Sequence, residues 1–138
     1  MKPTGKLSKR QLEAINHFAN ILFSHQLKRY IDLDIRFVKM DCMQGTVIVE
    51  DYNDKGLPRS FTIEVNRSDD PEEKIKTIAH EMVHVKQYAK GELSEEMDIW
   101  RGSKVNADSI DYFEQPWEIE AESVGLNMYE SFIRLLCD

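Results

Sequence analysis

The chain predicts a small α+β domain: an N-terminal helix, a small sheet of about three strands that contains an antiparallel pair, a central helix and a C-terminal helix. Three observations lead there. Stretches with apolar residues three and four apart flank a set of short β-branched runs, a turn-rich segment joins two of those runs, and a well-delimited helix carries His80-Glu81-x-x-His84. At 138 residues the whole of 1–138 suits one domain with a real core and leaves no room for a separate recognition module.

The first helix runs from Leu7-Ser8-Lys9 to about Arg29, with Ser8 as its cap and Leu12, Ile15, Phe18 or Ala19, Leu22 and Leu27 recurring on one side. It reads as a packing helix. His17 and His25 lie on it without a glutamate neighbour or a second histidine four residues on, so they are expected as surface or hydrogen-bonded side chains rather than ligands.

Three strands follow, at 34–38, 46–50 and 60–66. The third alternates Phe61, Ile63 and Val65 with Thr62, Glu64 and Asn66, the pattern of a strand with one buried face. Asn53-Asp54-Lys55-Gly56-Leu57-Pro58 is a turn cluster, which makes the last two an antiparallel hairpin. An edge strand beside a metal can pair with an extended peptide through main-chain hydrogen bonds. The third strand is either that edge or an ordinary scaffold strand.

The central helix starts at Ser68-Asp69-Asp70-Pro71-Glu72-Glu73, with Asp70 as N-cap, Pro71 at the first helical position and acids in the first turn. Ile75, Ala79, Met82 and Lys86, with Ile78, Val85 and Ala89 beside them, mark its core stripe, and Lys90-Gly91 ends it. Thr77 and Tyr88 flank the two histidines along a separate face. From Glu92 to Gln115 periodicity is lost. That stretch is too long for a plain connector, so it is expected as a partly ordered loop, with a short hairpin, over the site. Pro116-Trp117-Glu118 opens the last helix, whose core stripe is Ala121, Val124, Met128, Phe132 and Leu135. Gly125 lets that helix approach another closely. Trp100 and Trp117 read as core anchors or loop fixings.

The formal net charge is -7, and no run of Lys and Arg interleaved with aromatics exists, so nucleic-acid binding is not expected and a protein or peptide partner fits better. Cys42 and Cys137 lie far apart and neither sits in a Cys-x-x-Cys pair, which excludes a structural zinc ribbon and suits free thiols in a reducing cytosol. With no apolar leader-like run and no span of about 18 apolar residues, the expectation is a soluble, unexported, cytoplasmic protein without a membrane segment. No pattern points to an oligomeric state.

The chemistry lies in His80-Glu81-x-x-His84. Residues four apart stand above one another on a helix, so His80 and His84 can offer ring nitrogens to one ion from a single rigid element. Glu81 sits about 100° around, where its carboxylate can take the proton of an attacking water as general base. Zinc is the expected cofactor, one catalytic ion, because it brings the pKa of such a water to near 7. A third ligand must come from elsewhere. No histidine follows His84, and His17 and His25 lie on a different predicted element, so a carboxylate is required. The C-terminal helix offers Glu118, Glu120 and Glu122. Glu118 and Glu122 share a face with Gly125 and Tyr129, while Glu120 points about 200° away from Glu118. Tyr112, Tyr129, Tyr88 and Arg101 are candidates by position for stabilising the transition state.

His80-Glu81-x-x-His84, followed some way downstream by Glu118-x-x-Ala121-Glu122, resembles the gluzincin metallopeptidases. The order of elements is most similar to small ImmA/IrrE-type and phage-encoded SprT-like peptidase domains, a minimal zincin-like layout. The resemblance covers roughly the second half of the chain. It implies that His80, His84 and Glu118 hold zinc, that Glu81 is the general base, and that Glu122 is the acidic partner of a ligand histidine. Glu120 stays open as the ligand, as does Glu122. The chain lacks the third histidine of the SprT pattern, and Glu stands at 122 where gluzincins often carry Asp. The expected function is a zinc-dependent metalloendopeptidase. The alternative is a catalytically latent binding or assembly protein on the same fold, its cleft plugged by the loop of residues 92–115.

Overall fold

In the computed structural model, which describes residues 1–137, the chain is α+β: four α-helices, a mixed four-stranded sheet and a small two-stranded antiparallel hairpin. The chain opens with a two-residue strand, β1 (Pro3–Thr4), then α1 (Lys9–Leu22). A capping box fixes the helix start: Ser8 Oγ accepts from the Gln11 amide, and Gln11 Oε1 accepts from the Ser8 amide. The expected long first helix is two helices. Phe23 turns extended and buries its ring, and Ser24 caps a separate short α2 (His25–Lys28), because a serine there satisfies the next helix's amides. Ile15, Phe18, Ala19 and Leu22 are buried as expected, whereas Leu12 is 40% exposed, on the solvent side of the first turns.

β2 (Asp32–Val38), β3 (Gly45–Tyr52) and β4 (Pro58–Asn66) contain the three expected strands, with somewhat wider bounds. The sheet order is β1-β2-β4-β3. β3 and β4 form the expected antiparallel hairpin, and β4 also runs parallel to β2, with Leu33 opposite Phe61 and Ile35 opposite Ile63. The third expected strand is therefore interior and not an edge. The chain skips a position on leaving β2, builds β3 at the margin, and returns through the hairpin to fill the gap. Leu33, Ile35, Phe61, Ile63 and Val65 are all at most 2% exposed and form the helix-covered face.

α3 (Pro71–Ala89) lies across that face. Asp70 Oδ1 accepts from the Glu73 amide, Pro71 occupies the first turn, and Gly91, at φ +70°, ends the helix where only glycine turns left without strain. Ile75, Ile78, Ala79, Met82, Val83, Val85 and Ala89 are buried against the sheet and against α1 and α4 (Pro116–Cys137). Truncating one of the larger of these to alanine costs about 2–5 kcal/mol. On α4 the stripe of Trp117, Ala121, Met128 and Phe132 is buried and Val124 is half-buried, but Leu135 is 60% exposed because the helix outruns its partners by a turn. The stretch before α4 holds the hairpin β5 (Ile99–Trp100) and β6 (Ser103–Lys104) and two single 3-10 turns, Ala107–Ser109 and Tyr112–Glu114. No described helix is long and apolar enough to cross a membrane.

Candidate metal centre

α3 and α4 bring His80, His84 and Glu118 together. Each offers one ligand atom, and the three atoms lie within 4.8 Å of one another. Glu118 Oε1 is 3.2 Å from His80 Nε2 and 3.2 Å from His84 Nε2. Ligand atoms held tetrahedrally around zinc at about 2.0–2.1 Å stand about 3.3 Å apart, and the two distances to Glu118 Oε1 are close to that spacing. The two imidazoles are 5.1 Å apart between ring centres at 74°, edge to face, which turns both Nε2 atoms toward the same carboxylate.

Two residues of α4 set this geometry. Trp117, with 0% exposure, anchors the helix start in the core beside Glu118. Two turns on, Gly125 lies against the backbone of His80, and the absence of a side chain there lets the helices close to the distance at which Glu118 reaches both histidines.

The electrostatics follow from three polar groups sharing a half-buried place. Burial opposes the charge on Glu118, but the hydrogen bonds to His80 and His84 prevail and hold its pKa down at about 2. Burial likewise disfavours the charged form of His84, and the hydrogen bond to Glu118 with the nearby Glu81 charge outweighs it, so its pKa is raised. These two shifts describe one interaction, the hydrogen bond between His84 Nε2 and Glu118 Oε1.

Glu81 is 8% exposed. Burial pushes its carboxyl up, against the lowering influence of His84 and His80, and no side-chain hydrogen bond contributes. A buried acid without a donor among the described residues, one position from His80, is free to take a proton. Gly45, the first residue of β3, is the wall beside it: a β-carbon there would meet Thr77 Cγ2 at 2.5 Å and Glu81 Cγ at 3.2 Å. The edge strand beside the site is thus β3.

The other expected site residues separate clearly. Tyr112, on the second 3-10 turn, donates to Glu118 Oε1 at 2.9 Å, and burial together with the Glu118 charge raises its pKa. The turn, and not the β5–β6 hairpin, is the part of the loop that reaches the triad. Glu122 Oε2 lies 3.5 Å from His80 Nδ1, with its side chain 79% exposed. Glu120 is turned away from the triad and pairs with Lys86 at 2.7 Å and Arg101 at 2.6 Å. Arg101 is thereby engaged elsewhere. Tyr129 is not brought to the triad: its hydroxyl donates to Glu72 at 3.1 Å, two turns of α3 before His80. Tyr88 is buried, and burial with the charges of Glu81 and Glu118 takes its pKa to about 12.

Sequence reasoning missed Gln87. It is fully buried, its Oε1 lies 2.7 Å from His84 Nδ1, and its Nε2 donates to the Trp117 carbonyl and to Glu120. Its spacing of three from His84 was the available signal, because a ligand histidine needs a partner for its other nitrogen. The loop between β2 and β3 was missed too. Asn66 Nδ2 donates to the carbonyls of Met40 and Met43 and pins that loop beside the site.

Together these elements enclose a cleft of about 580 Å³, with His80 and Glu81 on its floor and Met43, Gly45, Lys76, Tyr112, Phe113 and Leu126 among its walls. Comparison with protein-family models, with characterised proteins and with solved structures gives no match to this chain.

Proposed function

We propose that the chain is a zinc-dependent metalloendopeptidase. The observation that carries the reading is the convergence of two imidazoles and one carboxylate on a single point, beside a buried carboxylate with no hydrogen-bonding partner. His80, His84 and Glu118 would hold the ion. Zinc bound there supplies a Lewis acid and brings the pKa of its water to near 7.

The chain's own residues do the rest. Glu81, whose carboxyl burial makes easier to protonate, takes the proton of the attacking water and returns it to the leaving amine. Tyr112, whose hydroxyl already lies at the triad, donates to the oxyanion that develops on the scissile carbonyl. Gly45 lets the backbone of β3 come down beside Glu81, so an extended substrate paired with that edge would place its carbonyl over the cleft floor. The two free, exposed cysteines fit a reducing compartment such as the cytosol.

The test is metal analysis of the purified protein, together with cleavage of an unfolded protein and a peptide library with and without chelator. One equivalent of zinc with chelator-sensitive cleavage is the expected result. Stoichiometric zinc with no cleavage of any member would leave a metal-binding protein without turnover.

A further inference from the structure

We propose that Gln87 is a positioning residue of the metal centre: it holds the Nδ1–H of His84, so that Nε2 is the nitrogen presented to a cation beside Glu118, and Glu120 holds Gln87 in turn. The proposal rests on the metal-site reading above and adds to it a residue on neither the ligand list nor the reaction path.

The assignment follows from donor and acceptor types alone. On one side of the Gln87 amide lie the Trp117 carbonyl oxygen and Glu120 Oε1, each 3.0 Å from Nε2. A carbonyl and a carboxylate only accept, so the amide must turn its NH2 toward them. Glu120 is kept a carboxylate by Lys86 and Arg101. The amide's Oε1 is thereby left facing His84 Nδ1 at 2.7 Å. Because Oε1 also only accepts, Nδ1 carries the proton. With Nδ1 committed to Gln87, Nε2 is the nitrogen left for a cation, and it faces Glu118 Oε1, to which it can give a second N–H until a cation replaces that proton. Reversing the amide would set acceptor against acceptor at a fully buried side chain, so each group is fixed by the next.

The two ligand histidines differ in this respect. His80 Nδ1 has only the exposed Glu122 carboxylate at 3.5 Å, whereas His84 is held by a side chain with 0% exposure. The fixed chain extends to the surface: Arg101, at φ +48° in the hairpin and stacked 4.7 Å over Trp100, binds Glu120. Arg101, Glu120, Gln87 and His84 are linked by contacts of 2.6, 3.0 and 2.7 Å.

Nitrogen-15 NMR of the histidine rings in the zinc-loaded protein reads directly which ring nitrogen carries hydrogen. Wild-type His84 should be the pure Nδ1–H form, with that proton slow to exchange. Gln87→Met, of similar volume but without hydrogen bonds, should speed that exchange and weaken zinc binding by about 10–100-fold in a chelator competition. Glu120→Gln still offers an oxygen to Gln87 and should keep the slow exchange. A wild-type His84 in the Nε2–H form overturns the proposal even if Gln87→Met fails to fold, and so does a folded Gln87→Met protein with wild-type exchange and zinc affinity. If the wild type binds no zinc while its His84 Nδ1–H is slow to exchange and Gln87→Met speeds that exchange, the metal reading fails and the hold of Gln87 on His84 is supported.

Discussion

A β-carbon placed on Gly125 would stand 3.1 Å from the Cα of His80 and 3.2 Å from its amide nitrogen. The neighbour is helix backbone, which cannot swing aside as a side chain would. Gly125→Ala gains about 1 kcal/mol of helix propensity but meets an overpacking cost of about 1–3 kcal/mol, so the net effect is a loss. The larger consequence is local: α4 is pushed off α3 and carries Glu118 away from both histidines. Gly125→Ala should bind zinc more weakly with a small change in melting temperature, and Gly125→Val should lose both. Wild-type zinc affinity in a folded Gly125→Val protein would contradict the close approach.

Glu81→Gln keeps shape and ligands while removing the base. Zinc content should stay at one equivalent and kcat should fall by about 10²- to 10⁴-fold, the usual worth of a positioned proton acceptor. Full turnover by this variant would exclude Glu81 from the reaction.

His84→Ala and Glu118→Ala each take away one of three ligands, and Glu118 is the only one on α4. Zinc bound there would therefore tie two helices together, and at free zinc of about 100 times Kd it should add about 2.7 kcal/mol to the stability of the wild type. Melting curves with and without chelator should differ by several degrees for the wild type and coincide for both variants. An equal zinc-induced shift in Glu118→Ala would move the third ligand elsewhere.

The pH dependence has a definite sign. The folded pKa of His84 is raised above 6.5, so the stability this group contributes to the metal-free protein is fully present below pH 6.5 and lost as pH rises through the folded value. The folded pKa of Glu118 is lowered from 4.5 to about 2, so its contribution is present above pH 4.5 and lost as pH falls toward 2. Zinc must displace the proton on His84, so binding should release protons and tighten between about pH 6 and 8. Calorimetric titration in two buffers of different ionisation enthalpy measures the release directly. A heat independent of buffer near pH 6.5 would speak against a protonated His84.

Much of this architecture was legible in the residues because its signals are local. Asp70, Pro71 and Gly91 delimit α3 by backbone chemistry that needs no tertiary partner, and the turn at Asn53–Pro58 makes the hairpin for the same reason. Glu118 was reachable because helical spacing sets it against Gly125. The strand order was not legible: β4 alternates as an edge strand would, and only its parallel pairing with β2 makes it interior. Pro3 and Thr4 become a strand solely by lying beside Leu33 and Asp34, and carry no pattern of their own. Tyr129 shares a helix face with Glu118, yet three turns of helix separate them, so a common face did not mean a common site. Gln87 offered only its spacing of three from His84, because glutamine is an ordinary helix residue and the rest of its surroundings come from what α4 places around it.

β1 occupies the margin of the sheet at β2, while at the opposite margin β3 has no neighbouring strand. A visitor to that open side must arrive with its own amides and carbonyls uncommitted, a condition that intact helices and hairpins do not meet. The protein would then spare well-folded neighbours and consume only stretches that have come loose. Digestion of one target before and after it is unravelled by reduction and alkylation checks this, and equal rates on the two forms would refute it.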